Sequence, residues 1–318
     1  MTEKPLQKVI PANLAGLRLD TALARMFPEY SRNRLKNWIL RESVKVDEQT
    51  MRPRDKVMGG EHVTLNPIAE VIESSEPQPI DLKIVHEDRD LLAINKPAGL
   101  VVHPGAGNED GTLMNGLLHH ESSLAELPRA GIIHRLDKET TGLLLVAKTI
   151  QSYTKLVRLL AAREISREYV AICNGVLTGG GTIDAPIGRH PVDRRKMNIR
   201  DDGKPSVTHY RVLERFRAQT YVNVQLETGR THQIRVHFAH KHNALLGDSV
   251  YGGRQRLPKR ASSELVNVIR SFKRQALHAK RLCFVHPVSG KSVNIEHEVP
   301  SDFGLLLDSL RKDASDNS

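Results

Sequence analysis

The stretch "HRLDKETTG", residues 134 to 142, sets a carboxylate in a charged loop that runs directly into the apolar segment "GLLLVA". That segment reads as a buried strand, and the "II" before the loop is apolar too, so the loop is anchored from both sides. Loops fixed at the ends of buried strands are where scaffolded chemistry tends to sit, and Asp137 lies at the inner end of this one. A carboxylate there can act as a nucleophile or a base. With Glu139 as a second acid and a water, the chemistry would be glycosidic hydrolysis. The structural alternative is that Asp137 caps a turn or pairs with Arg135 or Lys138. The residues by themselves leave these readings open.

Other chemistries find little support. The chain has 318 residues, 15 histidines and 2 cysteines. Cys173 and Cys283 lie far apart, outside any metal-ligand spacing, and read as structural thiols in a reducing compartment. His237, His240 and His242 are close in sequence, but on a strand His237 and His240 would face opposite ways, and zinc sites gather Cys, His and carboxylate ligands. There is no Gly-x-x-x-x-Gly-Lys loop, no dinucleotide fingerprint after a strand and no nucleophile elbow. The expectation is a site with no metal and no cofactor.

The elements that must position Asp137 are strand-rich. "LKIVHEDRDLLAINKPAG" reads as a hairpin turning at "EDRD", while "TLMNGLLHH" and "QSYTKLVRLLAARE" read as helices. In "TYVNVQLETGRTHQIRVHFAH", Val222, Val224 and Leu226 alternate onto one face, and Ile234, Val236 and Phe238 do the same after the Thr-Gly-Arg turn. On that strand reading Gln233, Arg235 and His237 face the other way. With no regular βαβ alternation and no internal repeat, the fold class is α+β, a mixed, mainly antiparallel sheet with flanking helices. This catalytic region is placed at residues 81–305, followed by a disordered tail at 306–318. Ahead of it, residues 14–65 hold two short helices and strand-like pieces, and residues 66–80, "NPIAEVIESSEPQPI", have a linker composition.

A net charge of +10 suggests a polyanionic partner. "MTEKPLQKVI" lacks the apolar core of a signal peptide, and the apolar run from Gly142 to Ala147 is far too short to span a bilayer. A cytoplasmic location and no membrane contact are expected. In the first region, Ser31 is placed to cap a helix that exposes Arg32, Arg34 and Lys36, a basic face able to touch phosphate.

Two resemblances sharpen this. "LRLDTALARMFPEYSRNRLKNWILRESVKVDEQ" resembles the S-four RNA-binding module, which turns the basic helix towards RNA. "HRLDKETTGLLLVAK" closely resembles the catalytic motif of the RluA-type pseudouridine synthases. The family's other marks follow in order: "NKPAGLVVHPG", "REYVA", "GKPSVTHYRV", "TGRTHQIRVH", "LLGDSVYGG" and "LHAKRLCFVHP". Further stretches, "PRAGIIHRLDKETTG" and "RHPVDRRKM" among them, are most similar to members that modify a large-subunit (23S) ribosomal RNA stem-loop at the subunit interface.

The resemblance implies the pseudouridine synthase fold and an isomerisation that detaches uracil from its ribose and rejoins it through carbon five. Asp137 matches the family's essential aspartate, Arg235 the arginine that pairs with it, and Tyr169 the tyrosine that stacks on the target base. Arg135 matches an arginine that fills the space of the flipped nucleotide. His134 and Leu136 are expected to shape the loop, Ile234 to line the uracil pocket, and Lys96 and Arg230 to contact substrate. Burial by itself favours a neutral carboxyl, so the pairing cation has to keep the aspartate charged. A fixed planar guanidinium suits that better than a lysine. Further RNA grip is expected from Arg194, Arg195 and Lys196. The implied partner is ribosomal RNA, bound by a monomer.

Overall fold

The computed structural model describes residues 5–28, 30, 32–67, 76–105, 107–193, 195–253 and 255–317, without the side chains of residues 33 and 34. The chain divides into two compact units, Met1–Ser74 and Ser75–Ser318.

The first unit contains β1 (Leu6–Val9), α1 (Leu19–Met26), α2 (Arg32–Leu40), β2 (Val44–Val46) and β3 (His62–Leu65). Its three strands pair antiparallel in the order β1-β3-β2. Leu19, Leu23 and Met26 recur at helical spacing, and that stripe packs with Phe27, Leu35 and Trp38 into one core. The unit begins before Leu14, where the sequence reading started it. The extra strand, β1, is an edge strand mostly exposed along its length. Its place is set by backbone pairing to β3, so no apolar pattern announces it. The expected cap, Ser31, lies outside the described residues.

The second unit contains β4 (Ile84–Glu87), β5 (Leu91–Lys96), α3 (Leu113–His120), β6 (Thr141–Ala147), α4 (Ile150–Ala161) and β7 (Ser166–Asn174). There follow β8 (Gly181–Asp184), β9 (Ile187–Arg189), β10 (Met197–Ile199), β11 (Val207–Arg215) and β12 (Gln219–Leu226). The last elements are α5 (Gln233–His240), α6 (Ser263–Ser271), β13 (Leu277–Val285), β14 (Ser292–Glu296) and α7 (Ser301–Asp316). Nine strands form one sheet in the order β4-β5-β6-β13-β7-β12-β11-β8, with β14 paired to β13, while β9 and β10 pair separately. Every pairing in the large sheet is antiparallel except β6 with β13. This is the mixed, mainly antiparallel α+β sheet that the strand pattern called for.

Alternation divides the core. On β5, Leu92 and Ile94 join the apolar cluster that includes Leu144, Val146, Val222, Val224 and Phe238. Leu91 and Ala93 face the opposite cluster with Leu143, Leu145 and Leu156 of α4. All seven residues of β6 are buried, which explains why it reads as a continuous apolar run. At Gly142 φ is +109°, and a Cβ there would meet the Ala279 carbonyl oxygen at 2.3 Å and the Ala279 nitrogen at 2.6 Å on β13. Gly142→Ala is therefore expected to cost about 3 kcal/mol or more of stability, measured by urea unfolding. Wild-type stability in that variant would contradict the close approach of β6 to β13.

Three sequence expectations need correction. First, the segment after the Thr-Gly-Arg turn is the helix α5, not a strand. The side chain of Gln233 accepts from Arg230 N–H at 3.0 Å and from Thr228 Oγ1 at 2.8 Å, and it donates to Val207 O at 2.9 Å, pinning the helix start. Ile234 and Phe238, four residues apart, then share a core-facing stripe. Second, residues 306–316 are not a disordered tail. Phe303, Leu306, Leu307 and Leu310 recur at i, i+3, i+4 and i+7, and α7 buries them against Phe272 and Tyr221. Buried Asp313 accepts from Arg217 Nη1 at 3.2 Å. Third, of the proposed linker, residues 68–75 lie outside those described, but 76–80 pack on the second unit. Asn115 Nδ2 donates to Glu76 O at 2.9 Å, and Gly111 N–H donates to Gln78 Oε1 at 2.8 Å.

Candidate active site

The "HRLD" loop emerges where β6 begins. His134 Nε2 accepts the Leu145 N–H at 3.0 Å, stitching the loop to the strand behind it. Burial, aided by the Arg167 charge, pushes the His134 pKa down to about 3, so the ring stays a neutral acceptor. Beneath the loop, Lys96 on β5 is fully buried. Its ammonium donates to the carbonyls of Pro97, Leu100 and Lys138 at 2.7, 3.0 and 2.9 Å. Burial lowers its pKa to about 8, against the pull of Glu139 and Asp137. All three ammonium protons are thus spent on the backbone. Lys96 is a clamp for the loop rather than the substrate contact anticipated from sequence.

Above the loop lies a cavity of about 540 Å³, lined by His134, Arg135, Leu136, Asp137, Tyr169 and Arg230, and by Ile234 and Arg235 from α5. Arg235 Nη1 donates to Asp137 Oδ2 at 3.0 Å. Its Nε and Nη2 donate to Asp248 Oδ2 and Oδ1 at 2.7 and 2.9 Å, and its guanidinium carbon stands 5.0 Å over the Tyr251 ring. Arg235 is only 5 % exposed. Burial works against its charge, but Asp248 and Asp137 outweigh that and raise its pKa. For Asp248, burial favours the neutral acid, yet Arg235 and the N–H groups of Tyr251 and Val250 win and depress the pKa.

One guanidinium therefore bridges two carboxylates of different standing. The Asp248 side chain is wholly enclosed, whereas that of Asp137 keeps 17 % exposure. Asp137 Oδ1 has no hydrogen bond among the described residues, and His232 Nε2 lies 4.0 Å from it. Burial lowers the His232 pKa despite Asp137 beside it, and its Nδ1 lies 2.8 Å from the Tyr251 hydroxyl. The result is an oxygen fixed at the cavity wall and left open to a reacting carbon or proton.

Tyr169 stands on β7 between Val224 of β12 and Ala279 of β13. It is 6 % exposed, and burial raises its pKa, so the phenol stays protonated. Leu136 and Ile234 are buried and belong to the core as well as to the cavity. Arg135 is exposed at the rim and donates to Thr231 Oγ1 at 3.1 Å. Arg230 is half-buried, its Nε donating to Pro205 O at 3.3 Å.

The residues expected to grip RNA elsewhere are more mixed. Arg32 is tied to Asp20 at 3.1 Å, Lys36 is exposed, and the side chain of Arg34 is not described. Arg195 and Lys196 both neighbour Asp193, at 3.3 and 4.0 Å, and Arg194 lies outside the described residues. Sequence reasoning missed Asp248 and His232, although both fall inside quoted stretches, "LLGDSVYGG" and "TGRTHQIRVH". An acid near the family arginine's motif was the available signal for Asp248. For His232 there was none, because its left-handed φ of 57° before α5 is set by the loop.

The profile of a family described as "RNA pseudouridylate synthase" matches residues 90–240, a span that contains Asp137, Tyr169 and Arg235. The chain is 55 % identical over 304 residues to "Ribosomal large subunit pseudouridine synthase D" of Pseudomonas aeruginosa, covering 96 % of this chain and 95 % of that one. It is 52 % identical over 309 residues to the protein of the same name from Xanthomonas campestris, covering 97 % and 93 %. Among solved structures, human RNA pseudouridylate synthase domain containing 4 superposes with a TM-score of 0.56 at 28 % identity, over 72 % of this chain and 92 % of that one. With identity above half over nearly its whole length, and a matching profile across the cavity, the chain belongs to the RNA pseudouridylate synthase family.

Proposed function

We propose that this chain converts specific uridines of large-subunit ribosomal RNA, in the stem-loop at the subunit interface, to pseudouridine, with Asp137 as the catalytic carboxylate and no cofactor. The substrate reading rests on similarity to relatives named for the ribosomal large subunit over 97 % of the chain. The observation that carries the catalytic reading is the guanidinium of Arg235, held by Asp248 and bonded to only one oxygen of Asp137.

The reaction breaks the N1–C1′ bond, turns the uracil and forms C5–C1′, moving a proton from C5 to N1. No water is consumed, so no second acid is needed. Whether Asp137 attacks the anomeric carbon or removes the 2′ proton, it does so through Oδ1, while Arg235 Nη1 holds Oδ2 at 3.0 Å. Tyr169 packs on the flipped uracil from the sheet side. The reading assigns Arg135 the gap that the nucleotide leaves in the RNA, offsetting part of the few kcal/mol lost in unstacking. The first unit adds a phosphate-tracking surface through Lys36 and its neighbours. The protein acts as a monomer in the cytoplasm, and no helix among the described residues is long and apolar enough to cross a membrane.

The test is to incubate purified protein with large-subunit rRNA and with tRNA and to map pseudouridine in each. Conversion confined to rRNA is expected, with rRNA affinity falling steeply with salt and weakened by deletion of residues 1–74. Conversion confined to tRNA would overturn the substrate, and release of free uracil would overturn isomerisation.

A further inference from the structure

Among the described residues, Arg167 is a cation with no paired counter-charge. It lies two residues before Tyr169 on β7, so both side chains leave the same face of the strand, and both line the cavity. Arg167 is 6 % exposed, and its Nε is buried without a hydrogen-bond partner. Among the described residues no carboxylate pairs with it. The two carboxylates on the cavity wall are committed elsewhere. Asp137 is bonded to Arg235, and Glu227 is bonded to Arg163 and, at 2.6 Å, to His209 Nε2. Nor is Arg167 crowded out of the cavity. Gly229 opposite it has no side chain, and a Cβ there would stand 2.8 Å from Arg167 Nη1.

Buried charges in proteins are paired, and a buried guanidinium left alone is destabilising unless a ligand completes it. The missing group must be anionic, since a neutral carbonyl would satisfy a proton but not the charge. An arginine fork fits the non-bridging oxygens of a phosphate two at a time. An RNA strand brings one such group per nucleotide. Because Arg167 sits inside the cavity with Tyr169, only a linkage adjoining the flipped nucleotide can reach it.

We propose that Arg167 seats the backbone phosphate flanking the reactive uridine, an inference that rests on the proposed action on RNA. Arg167 binds substrate and positions the ribose against Asp137, while the bond-making remains with Asp137. Its burial makes this contact available only after the nucleotide has flipped, so it selects for the extruded conformation rather than for RNA in general.

The experiment uses the full-length protein and a synthetic hairpin of the subunit-interface stem-loop with a neutral methylphosphonate placed, in turn, at the linkage 5′ or 3′ of the reactive uridine. For wild-type protein, one substitution is expected to lower kcat/KM about 30-fold. Arg167→Gln should lower kcat/KM on the unmodified hairpin by about the same factor, and should lose under 3-fold more when that linkage is neutral. Equal methylphosphonate penalties in wild type and Arg167→Gln would overturn the proposal, as would wild-type kcat/KM in the variant. Stability supplies a second reading. Without RNA, Arg167→Gln and Arg167→Met should melt no lower than wild type, because an uncompensated charge is removed. If both melt several degrees lower, Arg167 serves the fold and the proposal fails. Should wild-type protein leave the hairpin unconverted, the functional reading falls, and the affinity of wild type and Arg167→Gln for the same hairpins still decides the phosphate contact.

Discussion

Asp137→Asn should reduce pseudouridine formation by about 10³-fold or more, with hairpin affinity held within several-fold of wild type. The substitution keeps shape and removes charge. An amide oxygen can still accept from Arg235 Nη1, and Arg235 keeps both bonds to Asp248, so the fold should lose only about 1 kcal/mol. What is lost is the open Oδ1 as an anion at the cavity wall, which no other described carboxylate replaces. Glu139, the second acid considered from sequence, does not line the cavity. Single-turnover mapping of the product and a binding isotherm on the same RNA separate chemistry from recognition. Comparable turnover in the purified variant would remove Asp137 from the mechanism.

Arg235→Ala should be the most damaging change to both stability and activity. It leaves two carboxylates facing one another, one of them fully enclosed, and breaking such a buried pair costs about 3–5 kcal/mol. Arg235→Lys tests geometry separately from charge. A single ammonium cannot span both oxygens of Asp248 and also reach Asp137, so activity should still fall by about 10²-fold. The pH dependence has a definite sign. The folded pKa of Asp248 is depressed, so its contribution is present above the unfolded carboxyl value of about 4 and fades as pH falls through the folded value. Wild-type protein should thus lose stability on acidification across that window. Arg235→Ala, having already lost the cation, should show a flatter acid limb. Urea unfolding from pH 3 to 7 measures both, and an unchanged acid limb in the variant would show that Arg235 is not what holds Asp248 ionised.

Much of this molecule is legible in its sequence, because the relevant physics is local. "GLLLVA" announced β6 because a strand buried on both faces needs only apolar residues. "EDRD" announced the turn between β4 and β5 because Asp88 Oδ1 takes the N–H groups of Asp90 and Leu91 at 2.7 and 2.9 Å. The apolar recurrence that makes α7 is equally present in the sequence, at Phe303, Leu306, Leu307 and Leu310.

Around the cavity, sequence and structure divide differently. Motif resemblance pointed to Asp137, Tyr169 and Arg235, and chemistry required a cation beside the aspartate. Alternation alone puts Arg235 on a strand, whereas the residue lies in the helix α5. A stretch such as "QIRVHFAH" has period-two and period-four apolar pairs at once, and Gln233, through bonds to β11 and its own turn, decides between them.

The family, the sheet class and the loop that carries the carboxylate are each encoded in contiguous residues. Only the tertiary packing makes Lys96 clamp that loop from below, sets Asp248 on the far side of Arg235, and leaves Arg167 without a paired carboxylate among the described residues. Two of those facts join residues 42 and 13 positions apart, and the third depends on every element around the cavity. A buried charge reveals whether it is compensated only when every neighbour that the fold brings to it is known.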